Sequence, residues 1–486
     1  MKHKITLNGR EVLVGDLAPT TTVLEWLRAT GRTGTKEGCA EGDCGACTIS
    51  VLDEGPNGPT WRAVCACIML LPQIFDRHIV TVEGLADGDH LHPAQDAMVN
   101  ALGSQCGYCT PGFVMTLFEA TYRTDLDCDW KKDDQLCGNL CRCTGYRPIR
   151  EALYTIAGSR PADRFAAQLT AVPPQDAVDY THEDQRFVRP TTWDALWSAL
   201  DTGPARFVNG ATDLGLAVTQ RFATFPLLVD LGALDGMRDI ERLEGGWRIG
   251  AGVLLSDLEA WAEKTNAVMG KMLRFFASRQ IKNRATLGGN LCNASPIGDL
   301  PPVMLALDAV AVIRSRTGSR RVPFGGEGET GFWTAYRTTA LQPGEILAAI
   351  EFEDPAKDTY LTSYKVSKRR ELDISAVAGA FALRRDASGV VTHARLAFGG
   401  MAATPARARA AEKVLLGAAL DEATIQNAVA ALKTDFAPIN DHRGTAWYRG
   451  TVAANLLCGF FDEAQAGAEV TLPDRPVGTV LAGEPS

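Results

Sequence analysis

The chain has 486 residues, a formal net charge of −9 and 13 cysteines, with 46% hydrophobic and 22% charged residues. That balance is globular rather than disordered, and the acidic excess argues against nucleic acid as a main partner. No run approaches the roughly 18 apolar residues of a membrane span, and the start lacks a signal-like apolar stretch, so a cytoplasmic protein of about three domains is expected.

Residues 4–14 read as a β-hairpin: Ile5 and Leu7 alternate with polar residues, Asn8-Gly9 is a turn signal, and Val12 and Val14 resume the alternation. Thr20 to Thr22 offer an N-cap for a helix through Val23, Leu24 and Leu27, which Gly31 stops. Strand-like pieces at 47–52, 60–67 and 78–82 complete a small β-grasp domain over 1–85. From 86 to 160 the pattern is helical, with candidates at 93–102, 111–122, 133–141 and 148–157. Thr110-Pro111 reads as an N-cap followed by Pro at the first helical position.

Residues 161–185, rich in Pro, Ala and Asp, read as a linker. Strands near 206–208, 227–231, 247–250 and 309–314 alternate with helices at 211–220, 256–263 and 299–307, giving an α+β domain over 186–358. Ser256 reads as a cap with Glu259 completing a capping box, and 280–298 as a loop. A C-terminal α+β subdomain spans 359–470, with strands at 376–383 and 391–398 before helices at 407–416, 422–433 and 446–461. Residues 471–486 are a tail, and the fold class is α+β, multidomain.

Eleven of the 13 cysteines lie at or before Cys143. In a reducing compartment such crowding points to metal or redox chemistry. Cys39-x4-Cys44-x2-Cys47, then 19 residues to Cys67, is the plant-type iron–sulfur spacing. Gly38, Gly42 and Gly45 let three thiolates share a tight loop and let backbone N–H groups point at anionic sulfur. A zinc site would pair cysteines on both sides, and no second such pair follows. Cys65 and Cys67 share a strand face, so the spacing leaves either as fourth ligand.

Cys106-x2-Cys109 with Cys141-x-Cys143 supplies four more thiols in a pattern unusual for zinc, which points to a second 2Fe–2S cluster. Cys109 and Cys143, each before a helix, would feel the positive end of its dipole, which favours thiolate.

These motifs carry a resemblance. Gly38-Cys-Ala-Glu-Gly-Asp-Cys-Gly-Ala-Cys47, Gln105-Cys-Gly-Tyr-Cys-Thr-Pro-Gly112 and Gly138-Asn-Leu-Cys-Arg-Cys-Thr-Gly-Tyr-Arg-Pro148 resemble the two iron–sulfur domains of the molybdenum hydroxylases. That family includes xanthine dehydrogenase and aldehyde oxidase. Aligning Thr81-Val-Glu-Gly84 with the family implies Cys67 as the fourth ligand. Cys65, Cys128, Cys137, Cys292 and Cys458 are then left as small buried apolar residues. The resemblance also implies that Gln105 approaches the molybdopterin cofactor.

A literal G-x-G-x-x-G at 326–331 is discounted, because its two glutamates would repel a pyrophosphate and no helix opens after it. Phe207-Val-Asn-Gly-Ala-Thr-Asp-Leu214 is better placed, as strand, Gly turn and helix start, where backbone N–H groups can cradle a diphosphate. Thr286-Leu-Gly-Gly-Asn290 is a second small-residue loop, although such loops are more often plain turns.

Residues 276–290, 294–299 and 364–374 resemble the FAD domain of the same family. The resemblance implies that Phe207, Val208, Asn209, Gly210, Ala211, Thr212, Asp213, Leu214, Thr286, Gly289 and Asn290 hold the diphosphate region. It implies that Phe276 stacks on the flavin ring, that Asp299 contacts the cofactor, and that Leu347 and Lys365 flank the adenine or ring edges. A core aromatic is the commoner fate of a residue like Phe276. Tyr336 falls in a segment that the resemblance places near a nicotinamide site, and the basic run 368–370 reads as a solvated face.

Taken together, the resemblance implies an iron–sulfur and flavin subunit holding two 2Fe–2S clusters and FAD. No acid–base or nucleophilic constellation is expected in this chain. Electrons would come from a molybdenum cofactor on a large partner subunit, in an (αβ)2 assembly, and leave to NAD⁺. Fusion of both parts on one chain favours the xanthine-oxidising branch over aldehyde or heteroaromatic hydroxylases. A stand-alone iron–sulfur flavoprotein reductase and a zinc-stabilised interaction protein are the readings from other classes.

Overall fold

The computed structural model describes residues 3–326, 330–369 and 372–467. The middle of the G-x-G-x-x-G stretch, part of the basic run 368–370 and of the 364–374 motif, and the tail at 471–486 therefore lie outside the described residues. The chain divides into two compact units. The first is built from the chain up to Asp235 with Leu254–Asp257 and Ala277–Thr286; the second from Gly236–Val253, Leu258–Phe276 and the chain from Leu287 on.

In chain order the first unit holds β1 (His3–Leu7), β2 (Arg10–Val14), α1 (Val23–Ala29), β3 (Thr48–Gly55), β4 (Gly58–Cys65) and β5 (His78–Val80). The sheet order is β2-β1-β5-β3-β4, with β1 and β5 parallel and the other neighbours antiparallel, which is the β-grasp arrangement. Thr22 caps α1 in a capping box with Glu25: Thr22 N donates to Glu25 Oε2 at 2.7 Å, and Glu25 N donates to Thr22 Oγ1 at 3.1 Å. Val23, Leu24 and Leu27 then turn into a core with Ile5, Leu7, Ile49 and Val64.

Four helices follow: α2 (Pro93–Asn100), α3 (Thr110–Tyr122), α4 (Asp129–Leu136) and α5 (Arg147–Ile156). α3 is buried from Gly112 to Tyr122 and packs on β3 and β4 of the β-grasp sheet. Two local expectations fail here. The cap of α3 is Cys109 rather than Thr110, whose hydroxyl donates to Ser104 Oγ instead. α4 lies four residues upstream of the predicted 133–141, so Cys141 is on a loop; the charged side chains at 131–134 are half-buried and carry no marked apolar periodicity.

The stretch 161–185 carries structure of its own. Phe165 is buried against Trp61 and Phe118, and its carbonyl accepts from Trp61 Nε1 at 3.2 Å. A strand, β6 (Val178–His182), already lies within it. β7 (Gln185–Arg189), α6 (Trp193–Leu200), β8 (Arg206–Val208), α7 (Leu214–Arg221) and β9 (Leu227–Asp230) follow, and the sheet order is β6-β7-β9-β8.

The second unit contributes β10 (Ile240–Leu243) and β11 (Gly246–Gly250). Next come α8 (Leu255–Thr265), whose Leu255, Ser256 and Asp257 belong to the first unit, and α9 (Ala267–Arg274). Ser256 lies inside the first turn of α8 rather than capping it, and its hydroxyl accepts from Arg62 at 2.9 Å. The loop expected over 280–298 contains two short helices, α10 (Arg279–Lys282) in the first unit and α11 (Leu287–Cys292) in the second. Ser278 caps α10 by accepting from Ile281 N.

The second unit continues through α12 (Leu300–Ala306), β12 (Val310–Ser315), β13 (Gly318–Pro323), β14 (Trp333–Ala335), β15 (Thr338–Thr339) and β16 (Ile346–Glu353). One sheet runs β10-β11-β16-β12-β13. The last part holds β17 (Tyr360–Val366), β18 (Val377–Arg385), β19 (Val391–Gly399), β20 (Ala406–Arg407), α13 (Arg409–Leu415), α14 (Glu422–Asp435) and α15 (Ala446–Ala466). Its antiparallel sheet, β17-β18-β19-β20, buries Phe381, Leu396 and Phe398 against Leu415, Leu457 and Phe460 of these helices. Among the described residues no helix is long and apolar enough to cross a membrane.

Candidate functional site

The first cysteine group is built on the loop between α1 and β3. Gly42 and Gly45 hold φ of +81° and +67°, a region open mainly to glycine. The turn this permits folds the backbone around Cys39, whose sulfur accepts from the N–H groups of Glu41, Asp43 and Cys44 at 3.3–3.4 Å. The Cys44 sulfur accepts from Cys39 N at 3.3 Å. A hydrogen bond from the Cys44 thiol, aided by the backbone donors, lowers Cys39 to a pKa of about 6. The Cys47 sulfur meets both Cys65 and Cys67, and these two contacts push its pKa down.

Cys39 thus faces Cys44, and Cys47 faces Cys65 and Cys67; among the described residues no group of three or more is set to hold a single metal ion. Backbone donors aimed at sulfur and facing thiols are the donor set that an anionic 2Fe–2S cluster needs, so the residues fit that group.

The second group lies at the surface. Cys106 and Cys143 are exposed, and Cys109 and Cys141 are half-buried. Cys106 faces Cys143, and Cys109 faces Cys141, two thiol pairs of the donor type that a second cluster takes. Tyr146, itself at φ +67°, accepts from Cys141 N at 3.0 Å and shapes this loop. The dipole expectation is corrected here. Burial raises Cys109 to a pKa of about 12, and the Cys106 contact raises Cys143, which lies three residues before the cap of α5 and beyond the reach of its dipole. Cys141 is the lowered one: burial opposes its ionisation, but hydrogen bonds from Thr144 outweigh that. Gln105, beside Cys106, is exposed.

The two groups are joined by residues that sequence reasoning missed. Leu140 N donates to the Cys44 carbonyl at 3.0 Å. Asn139 Nδ2 donates to the Gly45 carbonyl at 3.0 Å, while Asn139 Oδ1 accepts from Thr116 Oγ1 at 2.6 Å and Gln280 Nε2 at 2.8 Å. Asn139, Thr116 and Gln280 are all buried. Asn139 sits inside the Gly138–Cys141 motif, which is the one signal that could have flagged it.

The expected flavin residues fall in both units. In the first, Val208 ends β8, Asn209 to Asp213 turn, and Leu214 opens α7. Gly210 rests on the backbone of Arg284: a Cβ there would lie 2.2 Å from the Arg284 carbonyl oxygen. Asn209 O accepts from Arg284 Nη2 at 3.2 Å and from Gln73 Nε2 at 2.7 Å. The structure thus brings the 207–214 turn next to the segment that ends at the buried Thr286.

In the second unit, α11 starts tightly on Ala251, with Gly288 N donating to Ala251 O at 2.7 Å. Gly289 is exposed, and the buried Oδ1 of Asn290 accepts no hydrogen bond among the described residues. Phe276 is half-buried. Lys365 Nζ donates to Asp299 Oδ2 at 2.7 Å and to the Phe275 carbonyl at 2.9 Å, and Ser375 Oγ donates to Asp299 Oδ1 at 2.5 Å. Both carboxylate oxygens are engaged, which leaves Asp299 orienting Lys365 toward the Phe275 carbonyl. Leu347 is buried in β16, opposite Ile313, and Tyr336 is exposed. Within its own unit, the tight Gly210 turn fits the close backbone approach of a diphosphate cradle.

Four sequence families match the chain. A 2Fe-2S iron-sulfur cluster binding domain matches residues 5–71 and a 2Fe-2S binding domain residues 81–154. An FAD binding domain in molybdopterin dehydrogenase matches residues 182–353, and the CO dehydrogenase flavoprotein C-terminal domain residues 362–464. The xanthine dehydrogenase of Emericella nidulans is 31% identical over 96% of this chain and 39% of its own length. The chain therefore spans about two fifths of the length of the curated relatives it matches. Among solved structures, reconstituted CO dehydrogenase from Oligotropha carboxidovorans is similar at 28% identity and TM-score 0.53, over 58% of this chain and 97% of that one. Quinoline 2-oxidoreductase from Pseudomonas putida 86 is similar at 26% identity and TM-score 0.52, over 58% and 96%.

Proposed function

The chain belongs to the molybdenum hydroxylase family through its iron–sulfur and FAD domains, and we propose that it is the electron-transfer subunit of a xanthine dehydrogenase. In this reading electrons released when hypoxanthine and xanthine are hydroxylated to urate, at a molybdenum centre on a large partner subunit, reach NAD⁺ through this chain's two 2Fe–2S clusters and FAD. When bound, the clusters would supply one-electron steps and the flavin the conversion to a two-electron hydride.

The chain's own residues position these groups. Cys39, Cys44, Cys47 and Cys67 would hold one cluster, and Cys106, Cys109, Cys141 and Cys143 the other. The N–H groups around Cys39 favour thiolate and so favour an anionic cluster. The 207–214 turn, Thr286, Gly289 and Asn290 would hold the diphosphate, and Phe276 the flavin ring. The pair Asp299–Lys365 holds the Lys365 ammonium on the Phe275 carbonyl.

The observation that supports the reading is the two groups of facing thiols, joined by the Leu140–Cys44 hydrogen bond within one compact unit. The purine substrate rests on the xanthine dehydrogenase relative, which aligns over 96% of this chain. A separate large subunit is supported by the CO dehydrogenase chain, nearly all of which is matched by part of this one; the (αβ)2 assembly rests on the family resemblance alone. The likeness to quinoline 2-oxidoreductase favours a second reading, a heteroaromatic hydroxylase with the same carriers.

Native purification followed by a substrate screen separates these. Co-purification of a large molybdenum-bearing chain and xanthine-dependent NAD⁺ reduction are expected. Turnover of aldehydes or quinolines but not purines would overturn the substrate; absence of any such partner would favour a stand-alone reductase.

A further inference from the structure

Within the first compact unit, the first thiol group and the 207–214 turn meet backbone on backbone. Ile68 directly follows Cys67, one of the proposed ligands. Gly215 is buried in the first turn of α7, directly after the 207–214 turn. A Cβ on Gly215 would lie 2.4 Å from the Ile68 carbonyl oxygen and 2.8 Å from Ile68 Cα, so no side chain fits between α7 and Ile68. At the far end of α7, Gln220 Nε2 donates to the Ala40 carbonyl at 3.3 Å, and Ala40 follows Cys39. Between these two contacts Leu214, Leu216 and Val218 pack on the core that also holds Cys47 and Cys67. α7 therefore lies across the first thiol group, from the residue after Cys67 to the residue after Cys39.

The turn that opens α7 is pinned from the same side. Gln73, only 2% exposed and lying between β4 and β5, donates from Nε2 to the Asn209 carbonyl at 2.7 Å. Gln73 Oε1 accepts from Leu70 N at 3.3 Å, which fixes the side chain at its other atom. Arg284 Nη2 donates to the same Asn209 carbonyl at 3.2 Å. A main-chain carbonyl held by two donors, on a turn whose helix rests on backbone, has little room to shift.

We propose that Gly215 and Gln73 are positioning residues for electron passage between the first cluster and the flavin. Gly215 sets how closely α7 approaches Cys67, and Gln73 sets where the diphosphate turn stands relative to the same thiol group. The step they serve is the passage of one electron from the reduced cluster to the flavin, in which no bond forms or breaks. Such a step asks for no acid or base; what the protein contributes is the placement of the two carriers. Gly215 lies outside the 207–214 turn, so the turn keeps its own shape when α7 is displaced. The inference rests on the iron–sulfur and flavin reading above.

The test uses the full chain purified with its clusters and flavin. A flash-generated one-electron photoreductant reduces the chain, and electron exchange between clusters and flavin is followed by absorbance. Redox titration gives the midpoints of each variant, and metal and flavin analysis the cofactor content. Gly215→Ala pushes α7 off Ile68; Gln73→Met keeps the side-chain length and removes the donor to Asn209. Both are expected to keep wild-type iron, flavin and midpoints and to slow the exchange several-fold. Exchange at the wild-type rate in either variant would remove that residue from the role. Slowing matched by lost iron or flavin, or by a shifted midpoint, would overturn the positioning role for both. A wild-type chain without 2Fe–2S signals or without flavin is a separate outcome, which overturns the cofactor reading itself and the proposal with it.

Discussion

Leu140 donates its backbone N–H to the Cys44 carbonyl at 3.0 Å, and the residue after Leu140 is Cys141. One thiol quartet is thus tied to the other by main chain, through residues far apart in sequence. The neighbouring Gly45 carbonyl is held by Asn139 and is so close to Gly112 that a Cβ there would lie 2.3 Å from it. The spacing of the two sites is set by backbone and buried polar groups, the stiffest parts available.

Asn139→Leu removes a donor from the Gly45 carbonyl and an acceptor from Thr116 and Gln280. Each buried group left unsatisfied costs about 1–3 kcal/mol. Both cluster chromophores are expected to bleach at lower urea than in the wild type, and in parallel. An unchanged midpoint would show that Asn139 does not clamp the two loops.

Cys67→Ser is expected to lose about half the iron, one cluster of two, whereas Cys65→Ser keeps it. Metal analysis of the purified variants decides this. Equal loss in both would overturn the ligand assignment.

Gly210→Ala places a methyl 2.2 Å from a backbone oxygen that has no side-chain freedom to yield. The 207–214 turn must then move. Flavin content is expected to fall sharply while both cluster signals persist; a flavin-replete variant would remove this turn from the cofactor site.

Phe276→Ala is expected to weaken flavin retention on desalting and to leave iron content unchanged. Retention equal to the wild type would refute a stacking role for this half-buried ring.

His92 caps α2 and contacts the Tyr122 hydroxyl at 2.8 Å. Burial lowers its pKa from 6.5 to about 4, against the partial opposition of Asp163. The unfolded chain therefore binds one more proton than the folded one between these values. Stability supplied by neutral His92 is fully present above pH 6.5 and is lost as pH falls toward 4. His92→Asn, which keeps an N-cap acceptor, is expected to flatten that part of the pH–stability profile. An unaltered slope would place the titration elsewhere.

Local signals in the sequence were read well where they act locally. The capping box of α1, the hairpin around Asn8-Gly9 and the three C-terminal helices follow from cap chemistry and apolar spacing. The cysteine spacing named the chemistry because cluster ligands must recur at set distances. What stayed hidden was decided by distant partners. Ser256 looked like a cap but is drawn to Arg62, 194 residues away in sequence. Phe165 turned a linker-like stretch into core by meeting Trp61, 104 residues away in sequence. Gln280 and Asn139 meet across 141 residues, and neither carries a local signature of that contact.

The most direct test of the central claim is metal and flavin analysis of the natively purified chain, combined with electron paramagnetic resonance after reduction. The account predicts about four iron atoms with matching sulfide, FAD, and two distinct 2Fe–2S signals. A colourless protein holding zinc, with no iron, sulfide or flavin, would contradict it.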